Sequence, residues 1–179
     1  MTGSKYIDYD RASNIGRRLI KDEENKNFGL LIICGINLGL RVNDLLQLTF
    51  EQLKGEAFIV IERKTNKKRQ LKVNEHIRDA LTFFESDLTY QMGGSAFTSQ
   101  KGTIYSPQHV NRQLKKYLRG NFSSHSLRKS FGRRVWENDD YSDRALICLS
   151  QLFNHSSTQI TRIYLGIKQE ELNDIYMSL

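Results

Sequence analysis

The 179-residue sequence predicts a mostly α-helical domain with one small antiparallel β-sheet. Three observations carry that expectation. Apolar residues recur at helical spacing through most of the chain, as Ile15 and Leu19 do near its start. One pair of β-forming runs, "EAFIVIE" and "RQLKV", flanks a polar turn. Hydrophobic residues make up 39% of the chain and aromatics 10%, which is enough to close a single core without disulfides or metal and is far from the composition of a disordered chain.

Taken in order, "DYDRASNIGRRLIKDE" reads as a first helix with Asp10 as its N-cap. A second runs from about Asn27 through "FGLLIICGINL" and stops near Gly39, because glycine adopts the left-handed conformation that ends helices. "RVNDLLQL" opens a short third helix directly after that break, so Arg41 stands at a helix start. The two β-forming runs then make a hairpin whose tip, "RKTNKK", is basic. "NEHIRDALTFFESDL" is an amphipathic helix capped by Asn74, and "TYQMGGSAFTSQKGTIYS" is an irregular connection into a helix opened by Pro107, the sole proline. Four more helical segments follow: "SSHSLRKSFGRRVWEN", "SDRALICLSQLF", "STQITRIYL" and "KQEELNDIYMSL". In the last, Leu172, Ile175, Tyr176 and Leu179 form an apolar stripe. There is no internal repeat and no low-complexity segment.

Several classes drop out on composition. Cys34 and Cys148 lie in apolar runs with no metal-ligand spacing around them, and both read as buried free thiols. The apolar run from Phe28 to Ile36 is too short to span a bilayer, and "MTGSKYIDYD" has neither the basic nor the apolar region of a signal peptide. A cytoplasmic protein without membrane association is expected. The net charge of +7 points to an anionic partner. Its distribution says more: residues 101–134 hold nine Lys or Arg, residues 63–72 hold six, and neither stretch contains an acid. Two acid-free runs in one small domain favour phosphate binding.

The rare polar groups and their contexts narrow this further. They are Arg41 in "GLRVNDLLQL", Lys64 at the hairpin tip, His125 and Arg128 in "HSLR", then His155 and Tyr164 in "FNHSSTQITRIY". Each has an ordinary reading alone: Arg41 as a cap or partner of Asp44, Lys64 as a solvated lysine, Tyr164 as a core aromatic. Together and in this order they resemble the catalytic domain of the tyrosine recombinases. That family's run is Gly-Leu-Arg-x-x-Glu-Leu, a hairpin lysine followed by a basic turn, His-x-x-Arg, then Leu-Gly-His-Ser with a tyrosine nine residues after that histidine. The likeness extends from about Tyr6 to the end of the chain. Two positions depart from it: Asp44 stands for the more usual glutamate, and Phe153-Asn154 for Leu-Gly. Asparagine tolerates the left-handed conformation better than most residues, so the turn before His155 is expected to survive.

The resemblance implies a tyrosine recombinase catalytic-domain fold and site-specific DNA strand exchange without cofactor or metal. It implies roles as well. Tyr164 attacks the scissile phosphate to form a 3′-phosphotyrosyl link, Arg41 and Arg128 neutralise the non-bridging oxygens, His125 takes the tyrosine proton, His155 hydrogen-bonds a non-bridging oxygen, and Lys64 protonates the leaving 5′-oxygen. Lys67 and Lys68 share that turn, and the family's Lys-x-x-Lys alignment puts Lys64 first. Double-stranded DNA is the expected partner, with Arg112, Lys115, Lys116 and Arg119 along one face of the Pro107 helix as contacts. The chain is expected to be a single catalytic domain over residues 1–179, without the family's N-terminal core-binding domain, with a tail helix at 167–179. The family pattern further implies a monomer in solution and a tetramer on DNA, with the tail docking on a neighbour. Two alternatives stay open: type IB topoisomerase-like nicking and rejoining, and a DNA-binding accessory protein with a vestigial site.

Overall fold

The computed structural model describes residues 4–23, 25–167 and 176–178. Helix α1 spans Tyr9–Lys21, and its N-cap is Asp8, whose side chain accepts from the backbone N–H of Arg11. Asp10, the expected cap, lies inside the first turn, where its charge still suits the positive end of the helix dipole. Helix α2, Lys26–Leu38, is buried along nearly its whole length and packs against α1. It stops at Gly39, which has φ +59, and a Cβ there would run into the Phe131 ring. Only glycine meets both demands.

Helix α3, Val42–Leu45, follows with Arg41 as its N-cap residue. Helix α4, Phe50–Lys54, was not expected, although "TFEQ" carries a capping box in which Thr49 and Gln52 satisfy each other's backbone N–H groups. Strands β1 (Ala57–Ile61) and β2 (Lys68–Lys72) pair antiparallel, with Ala57 opposite Lys72 and Ile61 opposite Lys68. Alternation turns Phe58, Val60 and Leu71 to the core and leaves Ile59 and Ile61 exposed. Helix α5, Glu75–Leu81, is capped by Asn74 as expected and runs into a 3-10 turn at Thr82–Phe84. A one-turn helix α6, Leu88–Gln91, interrupts the connection that reads as irregular in sequence. Then come α7 (Pro107–Leu118, capped by Ser106), α8 (Ser124–Asn138), α9 (Asp143–Phe153) and α10 (Thr158–Leu165). Most of the expected tail helix, residues 168–175 and 179, lies outside the described residues.

The buried apolar residues form two clusters. The larger runs from Ile7 to Leu127 around α2, and the smaller gathers Trp136, Ala145, Leu146, Leu149, Phe153, Leu165 and Ile167. Cys34 belongs to the first and is buried as expected, and burial pushes its thiol far above the ordinary range. Cys148 is exposed, contrary to expectation. The inward face of α9 is Ala145, Leu146, Leu149 and Phe153, and position 148 falls on the opposite side. The seam between the two clusters is where α8 enters, and the polar residues singled out by sequence meet there.

Candidate functional site

Arg41 projects from the turn that joins α2 to α3. Its Nη1 donates to Glu62 Oε2 at 2.6 Å and its Nη2 to the carbonyl of Phe153 at 3.1 Å. Arg128, on the buried side of α8, donates from Nη1 to the carbonyl of Gly39 at 2.7 Å and from Nη2 to the same Phe153 carbonyl at 3.3 Å. Its guanidinium also lies over the Phe153 ring at 4.4 Å. Two cations therefore share one acceptor at the C-terminus of α9, the end of a helix that attracts positive charge. Burial pulls the Arg128 pKa down to about 10, still well above neutrality, so the charge persists.

Glu62 balances this charge. It is 3% exposed, accepts from Arg41 and from Thr65 Oγ1 (2.9 Å), and stands 3.7 Å from Arg69. Burial by itself raises its pKa, but hydrogen bonds from Thr65 and Arg41 and the nearby guanidinium charges outweigh burial and hold the carboxyl below its usual value. The ordinary alternative for Arg41 was a cap or a partner of Asp44; the carboxylate it meets is Glu62, which the sequence did not single out. The visible signal was an acid at the mouth of a hairpin tip that is otherwise wholly basic. Asp44 is buried and does a different job: its Oδ1 accepts the backbone N–H of Arg63 at 2.9 Å.

The segment holding His155 and Tyr164 is set by two helix ends. Asn154 caps α9 with φ 57 and ψ 48, so asparagine does supply the left-handed turn. His155 Nδ1 lies 2.9 Å from Thr161 Oγ1, a partner the sequence did not disclose. The contact orients the ring, and the Thr161 hydroxyl also reaches the carbonyl of Ser157 at 3.4 Å. Ser157 caps α10, and Tyr164 comes near its end. The nine-residue gap thus folds into a turn and two helical turns, with the His155 and Tyr164 rings edge-on and their centroids 5.2 Å apart. Tyr164 also packs edge-on against Phe153 at 5.5 Å, with Lys129 Nζ 5.1 Å above its ring.

The Tyr164 hydroxyl is shut off from solvent, and the Arg128 guanidinium is the hydrogen-bonding group that acts on it, short of ideal geometry. Burial raises its pKa, only partly opposed by the charges of Arg128 and Arg41. Both histidines shift the other way. His125, exposed at the start of α8, is lowered by desolvation and then by Arg128, Lys129, Arg41 and Lys64. His155 is lowered by burial and then by Arg128 and Arg41. At neutral pH this is a protonated phenol packed against the neutral imidazole of His155, in a field of guanidinium charge that also keeps His125 neutral.

Lys64 is exposed at the hairpin tip, near enough to His125 for its charge to act there. Lys67 is engaged elsewhere, with Nζ donating to Asn154 Oδ1 at 2.5 Å. Arg41, Arg128, His155 and Tyr164 therefore gather around Phe153, and His125 lies within electrostatic reach of the two arginines and of Lys64. On α7, Arg112, Lys115 and Lys116 are exposed while Val110, Leu114 and Leu118 are buried. Arg119 is exposed as well. It sits past the helix end with φ 47, where the left-handed turn redirects the chain. Among the described residues no cluster of His, Cys, Asp or Glu is placed to hold a metal ion, and no helix is long and apolar enough to cross a membrane.

The sequence profile of the phage integrase family matches residues 19–171. A probable integrase/recombinase of Bacillus subtilis (strain 168), YoeC, is 25% identical over 157 residues, covering 86% of this chain and 84% of that protein. The tyrosine recombinase XerC of Rickettsia bellii (strain OSU 85-389) is 27% identical over 162 residues, and there the match covers 87% of this chain but 52% of XerC. Against XerC the chain thus spans about half a protein. Among solved structures, XerA recombinase superposes with a TM-score of 0.68 at 19% identity, over 97% of this chain and 64% of that one. XerH site-specific recombinase bound to its palindromic difH substrate gives 0.66 at 19% identity, over 97% and 52%.

Proposed function

The chain belongs to the phage integrase family, the tyrosine recombinases, and from that premise we propose that it cleaves and rejoins DNA at specific sites through a phosphotyrosyl link to Tyr164. The observation that carries this reading is the convergence of Arg41 and Arg128 on the Phe153 carbonyl, beside His155 and Tyr164. Guanidiniums match the fork of phosphate oxygens and stay charged, so this spot is suited to one phosphodiester.

In the proposed step, the Tyr164 oxygen forms a bond to the scissile phosphorus as the bond from phosphorus to the 5′-oxygen breaks. The phenol proton passes to His125, whose depressed pKa leaves it neutral and able to accept. Lys64 gives a proton to the departing 5′-oxygen, which leaves as a hydroxyl. Arg41, Arg128 and His155 hold the non-bridging oxygens where negative charge builds. Reversal by another strand's 5′-hydroxyl returns the tyrosine and completes exchange. The basic face of α7, with Arg112, Lys115 and Lys116, holds flanking phosphates. The phosphotyrosyl link conserves the energy of the phosphodiester bond that is broken, so no nucleotide cofactor enters.

Covalent capture tests this. Fragmented genomic DNA of the source organism is incubated with the protein, denatured, and the protein-linked strands are sequenced. The reading expects one short sequence, or a few, with linked ends at a fixed position. Linked ends scattered without sequence preference would replace recombination with topoisomerase-like nicking. No linked DNA above a Tyr164→Phe control would leave a binding protein.

A further inference from the structure

Lys64 sits between two residues that are each tied to the Arg41 segment. On one side, the backbone N–H of Arg63 donates to the buried carboxylate of Asp44, three residues after Arg41. On the other, Thr65 Oγ1 donates to Glu62 Oε2, the same oxygen that accepts from Arg41 Nη1. The tip is also closed on itself, because the Glu62 carbonyl accepts from the N–H of Asn66 at 2.8 Å, and Asn66 takes φ 53. An exposed lysine on a hairpin tip ordinarily has a free backbone beneath it. Here that backbone is fastened on both sides to the element that carries the phosphate-binding arginine.

We infer that Glu62, with Thr65 as its relay, is a positioning residue for strand cleavage, which sets the hairpin tip against Arg41 so that Lys64 and the guanidinium address the same phosphate. The inference rests on the reading of Lys64 as proton donor. The same carboxylate serves two groups by different means. It orients Arg41 by a direct ion pair and Lys64 indirectly, through the Thr65 hydroxyl and the backbone. Misplacing a reacting group by about 1 Å costs on the order of 10²-fold in rate, so a fastening of this kind has a measurable effect.

The split between direct and indirect action supplies the test. Single-turnover cleavage is measured on a nicked duplex of the captured sequence, once with an ordinary scissile phosphate and once with a 5′-bridging phosphorothiolate, whose sulfur leaves without a proton. Hydrogen exchange over residues 62–68 of the free protein is measured beside it. Thr65→Val removes only the relay. It is expected to slow the oxygen substrate by about 10-fold or more while leaving the sulfur substrate within about 2-fold, and to speed exchange at the tip but not in α7. Glu62→Gln loses the ion pair as well, so both substrates slow and sulfur restores only part of the rate. Equal slowing of both substrates by Thr65→Val, or unchanged exchange at the tip, would overturn the inference. Lys64→Ala reports separately on the underlying reading: if sulfur does not rescue Lys64→Ala, Lys64 is not the proton donor, whatever the exchange data show. Should Glu62→Gln fail to fold, Thr65→Val and the exchange measurement still decide.

Discussion

Arg41 and Arg128 are each held by two hydrogen bonds to the chain's own carbonyls or to Glu62, whereas Arg112, Lys115 and Lys116 are exposed on α7. The same net charge is used in two ways. The inner pair is buried or half-buried at the seam of two apolar clusters, where the effective dielectric is low and side-chain freedom is already lost before any ligand arrives. The outer set keeps its freedom and is screened by salt, which suits loose holding of a polyanion and does little to place one atom. In the proposed reaction, position, more than the amount of charge, separates the group assigned to chemistry from the group assigned to holding DNA.

Substitutions break this contrast in a definite order. Tyr164→Phe should abolish the covalent adduct on a nicked substrate, read on a denaturing gel, while binding stays within a few-fold, because only the nucleophilic oxygen is lost. An adduct that persists would move the chemistry to another residue. Lys64→Ala should slow cleavage by roughly the 10² to 10⁴ typical of a lost general acid. If Lys67→Ala gave the larger loss, the lysine that donates to Asn154 would be the reacting one.

The pH profile sharpens the contrast next. His125 must be neutral to accept a proton, and its pKa is depressed, so it stays neutral until the pH falls below its lowered value. The acid limb of kcat/KM is therefore expected to have its midpoint below the ordinary imidazole value of 6.5. A limb above 6.5 would mean that a different group takes the proton. Smallest in rate and largest in salt dependence is the outer set. Lys115→Ala with Lys116→Ala should reduce the slope of log affinity against log salt by about 0.9 for each phosphate left without its lysine, with single-turnover cleavage at saturating DNA little changed. An unchanged slope would return α7 to plain solvated surface.

What could be read in the sequence follows the range of the physics involved. Helices with a strong apolar face and a local cap, such as those beginning at Asn74 and Pro107, show themselves because cap and stripe lie within one turn of each other. The six polar residues were visible because order and spacing survive in one dimension. Their wiring was not. The Phe153 carbonyl is 112 residues from Arg41 and 25 from Arg128, and a backbone acceptor has no letter of its own. Glu62 was passed over because Asp44 is nearer to Arg41 in sequence, while the hairpin brings Glu62 nearer in space. Cys148 was misjudged because a run of letters does not say which face a helix turns inward.

The central claim is that Tyr164 is the one residue in this buried cationic site that becomes joined to DNA. Mass spectrometry of the trapped complex tests it most directly, after nuclease and protease digestion, by locating the residual nucleotide on a peptide. A nucleotide phosphate is expected on Tyr164 alone, on a peptide that also contains Ile163 and Leu165 if the protease cuts at basic residues. A nucleotide on any other side chain, or a complex that falls apart on denaturation, would contradict it.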